Sequence, residues 1–68
     1  MRRYHTLVQR GNDGNWRIEF GDYDRETVAA ELDDYRDHGV KKKDLKILTS
    51  GAGQAEINAA VDVLNGRA

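Results

Sequence analysis

Apolar and polar positions alternate in two neighbouring segments near the start of the chain. Residues 3–10, RYHTLVQR, have extended character, and residues 15–20, NWRIEF, alternate large apolar side chains with charged ones. A period of two is typical of a strand with one buried face. The intervening GNDGN offers residues that tolerate the positive φ angles of a hairpin connection. The two segments therefore predict a β-hairpin.

A helical repeat follows from residue 25. Asp24 stands directly before it, where a carboxylate can accept a hydrogen bond from a free backbone N–H of the first turn. Gly39 is placed to end the helix in a left-handed conformation, and Val40 can fold back as the apolar contact of such a cap. The apolar positions at helical spacing are Val28, Leu32 and Tyr35.

Residues 41–50, KKKDLKILTS, return to alternation and predict a third strand. After SGAGQ, helical spacing resumes up to Gly66. The resulting order is ββαβα, in one small α+β domain spanning residues 1–68. The apolar positions of this second repeat are Ile57, Ala60, Val61 and Leu64.

A right-handed crossover through the first helix makes the second and third strands parallel, and we expect the first strand to lie between them. The prediction is a three-stranded mixed sheet with both helices packed on one face. The expected core comprises Trp16, Ile18, Phe20, Val28, Leu32, Tyr35, Leu45, Ile47, Ile57, Val61 and Leu64.

Composition excludes several classes of protein. The 68 residues contain no Cys, which removes disulfides and cysteine-based zinc sites. No apolar run is long enough for a signal peptide or a membrane span, so we expect a soluble cytoplasmic protein without membrane contact. The net charge of −1 is uneven: residues 19–37 carry eight acids and two Arg, whereas residues 38–50 carry four Lys and one Asp.

Acidic residues provide the candidates for metal or acid/base chemistry. Asp22 and Asp24 form a D-x-D, but the Gly and the final Glu of a calcium loop are missing, so we interpret them as turn and cap residues. Asp34, His38 and Glu31 share one side of the first helix, yet two or three ligands without a second cluster make a poor site. A chain of this length also leaves little room for a pocket of about 300 Å³. We therefore predict no metal, no cofactor and no catalytic residues.

The sheet face left open by the helices is the predicted docking surface. A pair of Leu flanked by charges suits contact with a protein partner or a second copy of the chain. The register of the first strand decides this point, because a shift of one residue would bury Leu7 instead. The acidic outer surface of the first helix is the other candidate. The predicted protein-binding residues are His5, Leu7, Arg17, Glu19, Lys46 and Leu48.

Binding of nucleic acid is the alternative hypothesis. The basic segments 2–17 and 41–46 could neutralise phosphates without reading bases, which gives weak, salt-sensitive affinity. Lys on edge strands also prevents aggregation, and we prefer that interpretation. The residues for this alternative are Arg2, Arg3, Lys41, Lys42 and Lys43.

The stretch from W-x-I-E-F-G-D-Y-D-R-E-T-V to D-L-K-I-L resembles the small uncharacterised open reading frames common in bacterial and phage or prophage genomes. The resemblance covers about residues 4–48 and implies no activity. It favours an accessory or host-interaction protein that acts by binding.

Overall fold

The computed structural model of the chain describes residues 2–67. Its elements, in chain order, are the strands β1 (Tyr4–Arg10) and β2 (Trp16–Asp22), the helix α1 (Arg25–Asp37), the strand β3 (Leu45–Ser50) and the helix α2 (Gln54–Leu64). A short 3₁₀ turn, Lys42–Asp44, precedes β3, so the third strand begins later than the alternating segment predicts. The α+β class and the ββαβα order are confirmed.

The three strands form one sheet in the order β2-β1-β3. The prediction that β1 lies in the middle is confirmed. Both pairings are antiparallel, so β2 and β3 run in the same direction without touching, and the sheet is not mixed. We call the end where β1 finishes and β2 and β3 begin the hairpin end.

The central strand is buried on both faces. Leu7 and Val8 are consecutive, so their side chains point to opposite faces, and neither has any exposed surface. Leu7 packs in a cluster with Val28 of α1, whereas Val8 packs in a cluster with Val61 of α2. The two helices therefore lie on opposite faces of the sheet, and the prediction that they share one face is wrong.

The width of the sheet explains this arrangement. Strands are spaced about 4.8 Å apart, so three strands are about 10 Å wide. A helix with its side chains is about 10–12 Å in diameter, so one helix covers a face of this size. Two consecutive apolar residues in β1 are typical of a strand that is covered on both sides.

A β-bulge makes the apolar side chains of β2 point to different faces of the sheet. Leu7 pairs with Phe20 and Val8 pairs with Ile18, which leaves Glu19 as the extra residue. Phe20 consequently packs on the α1 side, whereas Trp16, at the start of the strand, packs on the α2 side. The prediction that these apolar residues of β2 share one face is therefore wrong. Ile18, predicted in the core, is 44% exposed.

Both ends of α1 form as the sequence indicates. The Asp24 carboxylate accepts hydrogen bonds from the Glu26 backbone N–H, at 3.0 Å, and from the Thr27 hydroxyl, at 3.1 Å. Gly39 has φ +99°, and the Val40 N–H donates to the Tyr35 carbonyl at 3.1 Å. This pattern is a Schellman cap, and it turns the chain back along the last turns of α1.

The C-terminal end of α2 has both a local cap and a long-range contact. Gly66, at φ +76°, forms a second Schellman cap, in which the Arg67 N–H donates to the Asp62 carbonyl at 2.7 Å. The N-cap residue of α2, Gly53, makes no side-chain hydrogen bond. At the other end, the Trp16 backbone N–H donates to Asn65 Oδ1 at 2.7 Å, and Asn65 Nδ2 donates to the Trp16 carbonyl at 3.1 Å. The Asn65 carboxamide thus occupies the outer edge of β2 as a neighbouring strand would. No helix in residues 2–67 is both long enough and apolar enough to cross a membrane.

Candidate functional site

The predicted docking surface does not form. Leu7 is fully buried under α1, and Leu48 is half-buried and packs with the cluster under α2. The register places His5 and Arg17 on the α1 side and Lys46 on the α2 side. The physical reason is the double coverage of the sheet: within residues 2–67 each face is covered by a helix, so these residues cannot make one surface.

Two members of that predicted set, His5 and Glu19, have hydrogen-bond partners within the protein. His5 Nδ1 lies 3.0 Å from Thr49 Oγ1 on the neighbouring strand. Glu19, at the bulge, accepts a hydrogen bond from the Tyr35 hydroxyl at 3.3 Å. Desolvation raises the pKa of Tyr35, and the charge and hydrogen bond of Glu19 add to this shift.

Arg17 is held by the hairpin loop rather than presented to a partner. Its Nη2 lies 2.6 Å from Asp13 Oδ2, and its Nη1 lies 3.3 Å from Asp13 Oδ1. These hydrogen bonds, with a further one from the Asn15 backbone, lower the pKa of Asp13 to about 2. Arg17 therefore already has a counter-charge in the free protein.

Two cations lie over Trp16 on the α2 side. The Arg10 guanidinium carbon is 5.2 Å from the centre of the indole ring and the Lys46 ammonium is 5.5 Å from it. Arg10 also forms an ion pair with Asp44 at 2.9 Å. These contacts are cation–π interactions that shield the aromatic ring, and they fix the start of β3 against the end of β1.

The candidate metal ligands are separated in space. Asp22 Oδ1 accepts the Asp24 N–H at 2.7 Å, and Asp24 caps α1, so both carboxylates have turn and cap roles. Asp34 and His38 lie at the other end of the helix, about 15 Å away at 1.5 Å per residue. Among residues 2–67, no three His, Asp or Glu side chains form a group that could hold a metal ion.

His38 interacts mainly with the helix end that it follows. Its Nδ1 lies 2.7 Å from the Asp34 carbonyl oxygen and 4.0 Å from Asp34 Oδ1. The hydrogen bond to that carbonyl and the charge of Asp34 raise the pKa of His38. The imidazole thus lies where its charged form interacts favourably with Asp34 and with the negative end of the helix.

The residues named for nucleic-acid binding lie at opposite ends of the sheet. Arg2 lies 4.9 Å from the centre of the Tyr23 ring, at the end of the sheet where β1 begins. Lys41, Lys42 and Lys43 precede β3 at the hairpin end, about 20 Å away along β1 at 3.4 Å per residue. The two groups proposed for nucleic-acid binding therefore do not form a continuous surface.

A groove at the C-terminal end of α1 brings together charges that the sequence assigned to separate blocks. We call it the α1 C-terminal groove. Its volume is about 650 Å³. One wall is the last two turns of α1 and the other is the chain that the Schellman cap folds back. The lining residues are Asp33, Arg36, Asp37, Val40, Lys41 and Lys42.

The helix wall carries Asp33, Asp37 and Arg36 and is acidic on balance, whereas the other wall carries Lys41 and Lys42. Asp33 reaches Arg36 of its own wall, at 4.0 Å. Within residues 2–67, no ion pair links Asp33 or Asp37 to Lys41 or Lys42. All four of these side chains are exposed. The groove therefore offers carboxylates and ammonium groups side by side, with the half-buried Val40 beside them.

Sequence analysis named Val40, Lys41, Lys42 and the acidic surface of the first helix, but it did not place them in one groove. Two acids four residues apart share one stripe of a helix. A glycine that stops the helix two residues later, followed by a Lys run, is the signal that could have placed both charges on one groove. Two further surface grooves, of about 660 Å³ beside Arg2 and Tyr23 and about 310 Å³ beside Gln9 and Tyr35, are likewise wide open to solvent.

No protein-family model matches this sequence, and neither curated proteins nor solved structures show significant similarity to it. The resemblance to bacterial and phage reading frames therefore stays a prediction. The function has to be argued from the geometry.

Proposed function

We propose that this chain is a small non-enzymatic accessory protein that binds another protein through the α1 C-terminal groove. The observation that carries the proposal is the pair of oppositely charged, mutually unpaired walls, Asp33 and Asp37 on one side and Lys41 and Lys42 on the other. The acidic helix surface, one of the two contact surfaces predicted from the sequence, is thus retained. The open sheet face is not.

The mixture of charges favours a protein over a nucleic acid as the partner. A phosphate backbone presents a single sign of charge, so Lys41 and Lys42 would attract it while Asp33 and Asp37, in the same groove, would repel it. A protein surface can present both signs in one contact. Complementary charges of this kind contribute to partner choice and to the rate of association more than to affinity.

The packing of the core supports a contact of modest size. Both sheet faces are used to bury α1 and α2, so the residues described leave no broad apolar sheet face for a partner. In the groove, Val40 is the apolar contribution, and it is only half-buried. Polar contacts of small area are typical of transient complexes.

A photo-crosslinker tests this proposal in the cells that express the protein. p-Benzoylphenylalanine placed at Arg36, inside the groove, is expected to give an adduct with a protein, identified by mass spectrometry. The same group at Ala55, exposed on α2, is the matched control and should give none. Absence of any adduct at Arg36, or equal labelling at both positions, would contradict the proposal.

Nucleic-acid binding remains a second candidate because of one observation. All four Lys of the chain lie at the hairpin end, all are exposed, and none takes part in an ion pair within the described range. Fluorescence anisotropy with oligonucleotides measures the slope of affinity against salt. If this candidate is right, replacing Lys41, Lys42 and Lys43 with Ala weakens binding and reduces the salt slope, by about one unit per lost phosphate contact. If the anisotropy of the oligonucleotide does not change when the protein is added, this candidate is excluded.

A further inference from the structure

We infer that the partner of the α1 C-terminal groove is a second copy of this chain, joined by a two-fold axis that runs along the groove. The inference rests on the proposed function and names its partner. It follows from the layout of charge in the groove, where an acidic wall and a basic wall run side by side.

Such a layout is complementary to itself. In a two-fold contact the same patch is used on both subunits, so that if residue i of one copy touches residue j of the other, then j also touches i. Rotation by 180° about an axis between the two walls places the acidic wall of one copy opposite the basic wall of its partner. Asp33 and Asp37 would then face Lys41 and Lys42 of the other copy, twice in each dimer.

The charges are available for this contact. In the free protein neither Lys41 nor Lys42 forms an ion pair in the part of the chain described, and the Asp33–Arg36 distance of 4.0 Å is at the limit of an ion pair. The net charge of −1 is also small, so long-range repulsion between two copies is weak. The attraction between the two grooves is therefore not opposed by a strong repulsion between the whole molecules.

The dimer should be weak and should depend on salt. The contact has few apolar atoms, and exposed ion pairs are screened as the Debye length falls from about 30 Å at 0.01 M salt to about 3 Å at 1 M. The average mass in sedimentation equilibrium is therefore expected to rise toward twice 7.7 kDa with concentration at low salt. At high salt it should return to the monomer value.

Charge reversal gives the decisive test. Asp33→Lys with Asp37→Lys makes both walls basic, and Lys41→Glu with Lys42→Glu makes both walls acidic. Each double variant should be monomeric alone at low salt, because like charges would then face each other. An equimolar mixture of the two should form a heterodimer. The four-fold variant, which exchanges the charges of the two walls, should dimerise like the wild type.

A net-charge control separates this pattern from a general effect of charge. Glu26→Lys with Glu56→Lys changes the net charge as much as the basic variant does, but both positions lie at the helix N-termini, away from the groove. This control should still dimerise, and circular dichroism should show all variants folded. A monomeric wild type at low salt, or double variants that do not associate when mixed, would overturn the inference.

The crosslink at Arg36 distinguishes this failure from failure of the proposed function. An adduct of twice 7.7 kDa supports the second copy. An adduct with a different protein overturns the second copy and keeps the binding function. No adduct contradicts both.

Discussion

The two helices are attached to the same sheet in different ways. α1 is held at both ends by residues close in sequence: Asp24 caps its first turn, and Gly39 with Val40 caps its last. α2 begins at Gly53 without a side-chain cap, and its C-terminal end is bound to Trp16 through Asn65, 49 residues away in the chain. α2 also ends in a local Schellman cap at Gly66. The end contacts of α1 are therefore all local, whereas α2 adds one that exists only in the completed fold.

The two sides of the sheet differ in how their buried residues are surrounded. On the α1 side, Leu7 and Val28 are fully buried among apolar side chains, and Tyr35 at the edge of the cluster donates to Glu19. On the α2 side, Trp16 lies under two cations, and Thr6 of β1 is buried with its hydroxyl lacking a partner among the described residues. The α2 side thus combines burial with polar contacts that exist only once distant segments have met. We expect α2 to separate from the sheet before α1 does when the contacts of Trp16 are removed.

The largest effect is expected from the core residues of the two sides. Trp16→Ala should cost about 3–5 kcal/mol and Leu7→Ala about 2–5 kcal/mol. A domain of 68 residues has only about 3–10 kcal/mol of stability in total. Urea unfolding measures the loss, and amide hydrogen exchange should show α2 opening first in the Trp16 variant and α1 first in the Leu7 variant.

A milder replacement keeps this comparison measurable if either alanine variant fails to fold. Trp16→Phe retains an aromatic ring and should remain folded with reduced stability. If Leu7→Ala left stability unchanged, the burial of Leu7 under α1 would be contradicted, and an open sheet face would again be an option.

Asn65→Ala tests the long-range attachment of α2. It removes both hydrogen bonds to the Trp16 backbone, and we expect a loss of about 1–3 kcal/mol with faster exchange of the Trp16 amide. Asn58→Ala is the matched control, because Asn58 is exposed on the same helix and bonds only Gln54; it should cost less than about 0.5 kcal/mol. Equal losses in the two variants would mean that α2 does not depend on this contact.

The smallest effect is expected at the local cap of α1. Asp24→Ala should cost about 1 kcal/mol through the lost hydrogen bonds to the first turn, while Asp24→Asn should retain most of the cap. Thermal unfolding measures both variants. A chelator should leave the melting temperature of the wild type unchanged, and a shift on chelation would show that Asp22 and Asp24 hold a cation as well.

Particular residues show how far sequence reasoning reached. Asp24, Gly39 and Val40 could be assigned because a helix cap involves residues within a few positions of each other. The docking surface around Leu7 and Leu48 could not, because it required knowing which residues face the same way on different strands. The single extra residue at Glu19 reverses the side of β2 on which later side chains point, and nothing in the alternation of residues 15–20 signals a bulge.

The sequence by itself determined the order of elements and both caps of α1, since periodicity and capping act over a few residues. Only the tertiary structure decided that α1 and α2 lie on opposite faces, because the deciding quantity is the width of a three-stranded sheet relative to one helix. The candidate site draws on both levels. The Gly39 cap was predicted from the sequence, and the structure shows that this turn brings Lys41 and Lys42 across one groove from Asp33 and Asp37.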